Sequence, residues 1–135
     1  MRRFVIASHH RLAWGLKDTL EFLTASRDIR DISAYVDDQE LEGQIQKVFD
    51  SFEPDDEVVM MTDMLGGSVN QKFYPYMGPG RHLICGVNLP CALALLLAPD
   101  GRPLGAEEIQ GIVEEARQHL IYVNQYDSGE LEGDE

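Results

Sequence analysis

Two histidines, His9 and His10, lie near the start of the chain, one residue beyond a short apolar run. Residues 4–7 are apolar with β-prone members, which is typical of a strand buried on both faces, and His9 and His10 come after them. From Leu12 the apolar residues recur at helical spacing, so the histidines lie in a strand-to-helix crossover. In an open parallel sheet this crossover lies at the carboxyl edge, where ligands bind. His9 is our candidate nucleophile, because a neutral imidazole is competent near neutral pH.

A second polar set follows another apolar run, residues 57–62. Asp63 ends that predicted strand, and Gly66, Gly67 and Ser68 precede the next helix. Because parallel strands end at one edge of the sheet, Asp63 can hold the proton of one imidazole nitrogen and fix the tautomer. The glycine amides and the Ser68 hydroxyl offer donors to an anion, and the missing side chains allow close approach. The combination predicts phosphoryl chemistry, in which charge spreads over the equatorial oxygens.

A third loop, residues 86–90, follows a further predicted strand and should reach the same edge. Each loop alone is weak evidence: a histidine after a strand is commonly a surface residue, an aspartate a helix cap, and paired glycines a tight turn. Their coincidence on one edge favours a site. The chain has no P-loop ending of Gly-Lys-Ser/Thr and no histidine spacing typical of a metal site, so we expect neither a metal nor a cofactor.

Strand and helix patterns alternate along the whole chain. This predicts an α/β fold: a single-domain, open, mostly parallel sheet of four parallel strands plus a C-terminal strand, with helices on both faces in flavodoxin-like layering. The predicted strands are residues 4–7, 29–36, 57–62, 82–87 and 119–124. The predicted helices begin near Leu12, Gln39, Val69, Pro90 and Ala106.

Three of these helices carry more specific expectations. Leucines at 12, 16, 20 and 23 should form the buried stripe of the first helix. Asp37 and Asp38 can cap the second helix. Residues 91–98 are apolar on every side, so the fourth helix should be buried, either by the core or by another subunit.

Composition limits the classes of function. The 135 residues carry 11 Lys and Arg against 24 Asp and Glu, a formal charge of −13, which argues against nucleic acid as a partner. Residues 127–135 hold five acidic residues and no base, so we expect a domain over residues 1–126 and a disordered acidic tail. Cys85 and Cys91 lack a redox or zinc spacing. With no secretory or membrane-spanning stretch, we expect a cytoplasmic protein without direct membrane insertion.

The sequence resembles a stand-alone enzyme IIA of the mannose-type sugar phosphotransferase system (mannose/fructose/sorbose family), over roughly residues 3–124. Three landmarks, in this order and spacing, carry the resemblance: Ser8-His9 after the first strand, the loop of residues 63–68 (Asp-Met-Leu-Gly-Gly-Ser), and residues 86–90. It implies a phosphotransferase component in which His9 accepts a phosphoryl group from the histidine phosphocarrier HPr and passes it to an enzyme IIB. It also implies that Asp63 orients the imidazole, that Ser68 contacts the phosphoryl group, and that the chain is a homodimer with exchanged final strands.

The sequence departs from the family in three places. His10 stands where the family usually has glycine, which adds a second candidate acceptor. Met64 and Leu65 replace an aromatic residue after the aspartate, and Val69 replaces the proline that commonly follows the serine.

Two other functions remain open. The phosphocarrier of a dihydroxyacetone kinase system is related, but the pair Gly66-Gly67 favours the sugar-transport branch. A flavodoxin-like or receiver-type regulatory module would need an acidic pair or a hydroxyl-rich phosphate loop after the first strand, where this chain has histidines.

Overall fold

Four parallel strands form one sheet. The computed structural model describes residues 1–26 and 28–126. The strands are β1 (Arg2–His9), β2 (Ile29–Ala34), β3 (Glu57–Thr62) and β4 (Arg81–Cys85). Each adjacent pair is parallel, as the sequence predicts, and the strand order β2-β1-β3-β4 places β1 and β3 at the centre.

Five helices connect or follow the strands and cover both faces of the sheet. They are α1 (Leu12–Thr24), α2 (Leu41–Asp50), α3 (Ser68–Phe73), α4 (Leu89–Leu96) and α5 (Ala106–Arg117), with short 3-10 turns at Tyr74–Tyr76 and Val123–Gln125. Within the described ranges, no helix combines the length and the apolar character that crossing a membrane requires. The predicted alternation of strands and helices is confirmed.

The apolar runs of the central strands divide between two cores because successive side chains point to opposite faces. In β1, Phe4 and Ile6 pack under α1, α4 and α5, whereas Val5 and Ala7 pack under α2 and α3. All four are buried, Val5 and Ala7 completely. The strand that ends in His9 is therefore fixed from both sides.

The buried face of α1 differs from the predicted leucine stripe. Leu20 is fully buried and Ala13 with it, but Leu12 is 59% exposed and Leu23 is 50% exposed. The reason is helical drift: 3.6 residues per turn place Leu20 about 80° around the axis from Leu12. The core contacts the helix near Leu20 and Ala13, so the ends of the predicted stripe turn toward solvent.

The predicted cap of α2 is also corrected. The helix begins at Leu41, and its N-cap is Glu40, with no side-chain hydrogen bond. The Asp37 carboxylate accepts from the Gln39 amide at 2.9 Å, which forms a local turn before the helix. Aspartate bonds to a backbone amide two residues on as readily as it caps a helix, and sequence spacing does not distinguish the two.

The predicted fifth strand does not form in the described chain. Residues 120–122 belong to no element, and Val123–Gln125 is a 3-10 turn. A strand exists only when a neighbour pairs with its backbone, and the sheet described here has four members. Leu120, Tyr122 and Val123 are 91%, 68% and 65% exposed. The predicted acidic tail, residues 127–135, lies outside the described residues.

Charged groups fasten the edge of the sheet opposite His9. Glu57, at the start of β3, accepts from Arg2 Nε at 2.8 Å and from the Leu104 amide at 2.8 Å, and lies 3.2 Å from His82 Nε2. Burial acts to raise the pKa of Glu57, but the hydrogen bonds from Arg2 and the Leu104 amide outweigh it and hold the pKa below its ordinary value. The beginnings of β1, β3 and β4 are thereby tied together.

Candidate active site

Ser8 shapes the turn that presents His9. Its buried hydroxyl donates to the His10 carbonyl at 3.0 Å and accepts from the Ala13 amide at 2.7 Å, so one side chain fastens the loop and the first turn of α1. His10 adopts a left-handed backbone with φ 54°, and its amide donates to the Ala34 carbonyl at 2.8 Å. The chain thus turns sharply after β1 and leaves the His9 side chain at the rim, 37% exposed.

One carboxylate oxygen of Asp63 holds His9 at two points. Asp63 Oδ2 accepts from the His9 backbone amide at 2.7 Å and lies 2.7 Å from His9 Nδ1. Burial acts to raise the pKa of Asp63, but the two hydrogen bonds from His9 outweigh it and hold the pKa below its ordinary value. An ionised carboxylate can only accept, so Nδ1 carries a hydrogen, and in the neutral ring the lone pair is then on Nε2.

Ser68 lies on the open side of the imidazole. Its hydroxyl oxygen is 3.5 Å from His9 Nε2, at the start of α3. The Tyr35 hydroxyl is 2.7 Å from the same oxygen, and the Tyr35 ring centroid is 5.6 Å from that of His9. The structure thus brings together the three predicted residues and adds Tyr35. Tyr35 falls inside the predicted strand of residues 29–36, and nothing in the sequence pattern marks it as a site residue.

The glycines let the loop after β3 pass close to the imidazole. A Cβ atom on Gly67 would lie 3.3 Å from His9 Cε1 and 3.3 Å from the Met64 carbonyl oxygen. Gly66 has φ 77°, a conformation that few residues other than glycine adopt. The Gly67 amide donates to the Met64 carbonyl over a long 3.3 Å. Close approach is thus one clear reason for glycine at residue 67.

A buried hydrogen bond holds α3 against β3. Thr62 Oγ1 donates to Asn70 Oδ1 at 2.7 Å, and both side chains are buried. Asn70 Nδ2 in turn donates to the Tyr74 hydroxyl at 3.4 Å. Because Ser68 begins the same helix, these bonds help to fix its distance from His9. Spacing along the chain does not reveal this pair, although a threonine that ends a buried strand needs a polar partner.

Residues 86–90 contact the elements that position the site residues. The Val87 amide donates to the Thr62 carbonyl at 3.0 Å, next to Asp63 in the chain. Asn88 caps α4 by accepting from the Cys91 amide at 2.9 Å and donates to the Ala116 carbonyl at 2.8 Å. These bonds fasten β3, α4 and α5 to one another, so this loop positions the elements around the site.

The arrangement suits nucleophilic attack by an oriented imidazole. The Asp63 carboxylate contacts Nδ1 and can balance a positive charge on the ring, the His9 side chain is 37% exposed, and the Ser68 hydroxyl lies 3.5 Å from Nε2. Over residues 1–26 and 28–126 there is no group of three or more His, Cys, Asp or Glu side chains placed to hold a metal ion.

Comparison with known proteins identifies one family. The family model EIIA-man, described as PTS system fructose IIA component, matches residues 3–127. A solved structure from Klebsiella pneumoniae, described as a candidate phosphoenolpyruvate-dependent sugar phosphotransferase system permease, is 32% identical over 92% of each chain, with a TM-score of 0.82. No curated protein matches the chain.

Two further solved structures share the fold at lower identity. The mannose/sorbose-specific IIA subunit from Enterococcus faecalis is 14% identical, with a TM-score of 0.75 over 93% of this chain and 97% of that one. The PTS IIA protein associated with the fucose utilization operon from Streptococcus pneumoniae is 22% identical, with a TM-score of 0.72 over 92% and 94%.

The close approach at Gly67 gives a prediction about the imidazole. We expect Gly67→Ala to displace the His9 ring, because the new methyl group would crowd Cε1, and to shift or broaden the Nδ1 proton resonance. NMR of the His9 ring measures this. Gly43→Ala is the control, since a Cβ atom there meets nothing within 4 Å. If Gly67→Ala lowers stability but leaves the ring resonances unchanged, the crowding argument is wrong and loss of the cap glycine explains the result.

Proposed function

The chain belongs to the mannose-type IIA family of sugar phosphotransferase systems, and from this premise we propose that it carries the phosphoryl group on His9 Nε2. Membership of the family implies a phosphocarrier role in sugar uptake. The observation that supports His9 as the carrier is the 2.7 Å contact between Nδ1 and Asp63, which leaves the lone pair on the exposed nitrogen.

The proposed reaction is an exchange of phosphorus–nitrogen bonds. The Nε2 lone pair attacks the phosphorus of phospho-HPr, the bond from phosphorus to the donor histidine breaks, and its electron pair stays with the donor ring. The phosphorylated His9 ring keeps its hydrogen on Nδ1 and becomes cationic, so the Asp63 carboxylate stabilises it through charge and hydrogen bonding. In the next transfer, a nucleophile of an enzyme IIB would attack the phosphorus on His9. The bond from phosphorus to Nε2 would break, and its electron pair would return to the His9 ring.

Ser68 and the glycine loop are proposed to contact the phosphoryl oxygens. The Ser68 hydroxyl is 3.5 Å from Nε2, beyond a strong hydrogen bond, so it is available to a group attached to that nitrogen. Gly66 and Gly67 leave this side of the ring without side chains. A donor placed where charge develops stabilises the transition state of transfer.

The same geometry would serve the phosphocarrier of a dihydroxyacetone kinase system, which remains the alternative. The match to the sugar-transport family model over residues 3–127 favours a phosphocarrier of a sugar phosphotransferase system. We propose a cytoplasmic protein with HPr as donor and an enzyme IIB as acceptor. The formal charge of −13 leaves nucleic acid unfavoured as a partner.

Unpaired apolar surface supports a homodimer with exchanged C-terminal strands. Leu97, next to the apolar helix α4, is 69% exposed, and Leu120 and Val123 are 91% and 65% exposed. β4 is an edge strand, with β3 on one side. Pairing residues 119–124 with the edge of a partner's sheet would satisfy their backbone groups and cover these side chains.

The first prediction distinguishes the two adjacent histidines. His9→Ala should abolish labelling by phospho-HPr, because it removes the nucleophile. His10→Ala should label nearly as wild type, since His10 contributes backbone bonds to the turn and its side chain is exposed. Phosphopeptide mapping after incubation with labelled phospho-HPr measures both. Labelling that survives the first change and disappears with the second would move the site to His10.

A second prediction concerns Asp63. Asp63→Asn should slow transfer while leaving His9 able to accept the group, because an amide neither fixes the tautomer nor balances the positive charge. We expect less than the ~10⁴-fold loss seen when the orienting carboxylate of a serine protease is replaced, since no hydroxyl proton is removed here. Rapid-quench transfer rates measure the effect. A rate equal to wild type would exclude this role for Asp63.

The dimer proposal predicts opposite effects of two truncations. Ending the chain before Leu120 should give monomer or aggregate, because it removes the segment available for exchange. Ending it after Tyr126 should leave the oligomeric state unchanged, which makes it the matched control. Light scattering across a dilution series measures both. A stable monomer for the full chain would refute the proposal.

A further inference from the structure

We propose that Tyr35 is a positioning residue of the phosphoryl site, whose hydroxyl donates to Ser68 and thereby directs the Ser68 hydrogen toward the group on His9. This inference rests on the proposed function of His9. It is carried by the 2.7 Å distance between the Tyr35 hydroxyl and Ser68 Oγ, together with the 3.5 Å distance from Ser68 Oγ to His9 Nε2.

Tyr35 occupies an unusual backbone conformation that places it at the site. It follows β2, which pairs with β1 in the register His9↔Ala34, so it begins beside His9. Its φ of 66° is uncommon for a residue other than glycine. The side chain is 55% exposed, so burial in the core does not compensate for this strain. Strained backbones of this kind cluster at functional sites.

The direction of the hydrogen bonds follows from the groups present. A phenol is a more acidic donor than an alcohol, which favours Tyr35 as the donor and Ser68 Oγ as the acceptor of their 2.7 Å hydrogen bond. Ser68 then keeps its own hydrogen for a second partner, and the only ring atom of His9 with a free lone pair is Nε2. The 3.5 Å distance makes the contact between Ser68 Oγ and Nε2 weak. Once Nε2 carries the phosphoryl group, the Ser68 hydroxyl can donate its hydrogen bond to a phosphoryl oxygen instead.

Removal of the Tyr35 hydroxyl would leave the Ser68 rotor undirected. The Ser68 hydroxyl could then point away from the phosphoryl group in a fraction of the molecules. The loss corresponds to one hydrogen bond of modest net strength, so we expect transfer to slow by roughly 2- to 10-fold. The acceptor, its tautomer and Asp63 are unchanged, so His9 remains the labelled residue.

The experiment compares Tyr35→Phe with wild type in single-turnover transfer from phospho-HPr. Tyr76→Phe is the matched control, because its hydroxyl donates to Gln46 at 3.1 Å, within the packing of α2. Thermal unfolding of both variants checks that folding is intact. The proposal predicts a slower rate for Tyr35→Phe alone. A wild-type rate for Tyr35→Phe, or an equal loss in both variants, would overturn it.

A double-mutant cycle with Ser68→Ala separates positioning from a general structural effect. If Tyr35 acts through Ser68, Tyr35→Phe changes nothing further once the serine hydroxyl is gone. The same fold loss in both backgrounds would overturn the proposal. Peptide mapping distinguishes failure of the Tyr35 proposal from failure of the proposed function. Label on His9 with no effect of Tyr35→Phe overturns the role of Tyr35 alone. Wild-type protein that takes no label on His9 overturns both the proposed function and this inference.

Discussion

The contact between Asp63 and His9 is the interaction on which the whole site depends. Asp63 Oδ2 accepts hydrogen bonds from the backbone nitrogen of His9 and from its Nδ1, each at 2.7 Å. The first bond fixes the end of β1 relative to β3, and the second fixes the ring and its tautomer. Because Asp63 engages Nδ1, Nε2 is the proposed nucleophile, and the Ser68 hydroxyl lies beside that atom.

The parallel sheet makes this contact possible between residues distant in sequence. Ala7 pairs with Thr62, so the residues that follow them emerge at the same edge. The buried bonds of Ser8 to Ala13 and of Thr62 to Asn70 then set where α1 and α3 begin. The strand ends are rigid because apolar cores pack against both faces of β1 and β3. The candidate site residues lie at the ends of the strands and in the loops that follow them, and the packed strands fix their positions.

Local patterns were sufficient to predict the central strands and the candidate residues that follow them. Continuous apolar runs mark β1 and β3, and His9 and Asp63 each come one residue beyond such a run. Local patterns do not reveal Tyr35, because an aromatic residue after an edge strand does not indicate that its backbone is left-handed. They also do not indicate that its side chain lies beside His9 at the end of β1. The exposure of Leu12 depends on how α1 lies on the core, and pairing of residues 119–124 depends on another strand edge. Neither is encoded in local periodicity.

We propose that Asp63 selects Nε2 of His9 as the phosphoryl acceptor. Uniform ¹⁵N labelling and long-range ¹H–¹⁵N NMR of the histidine ring measure this directly, before and after loading with the phosphodonor. The geometry predicts a ring that carries its hydrogen on Nδ1 and then shows phosphorus coupling at Nε2. A free ring protonated on Nε2 alone, or a phosphoryl group attached to Nδ1, would contradict the account.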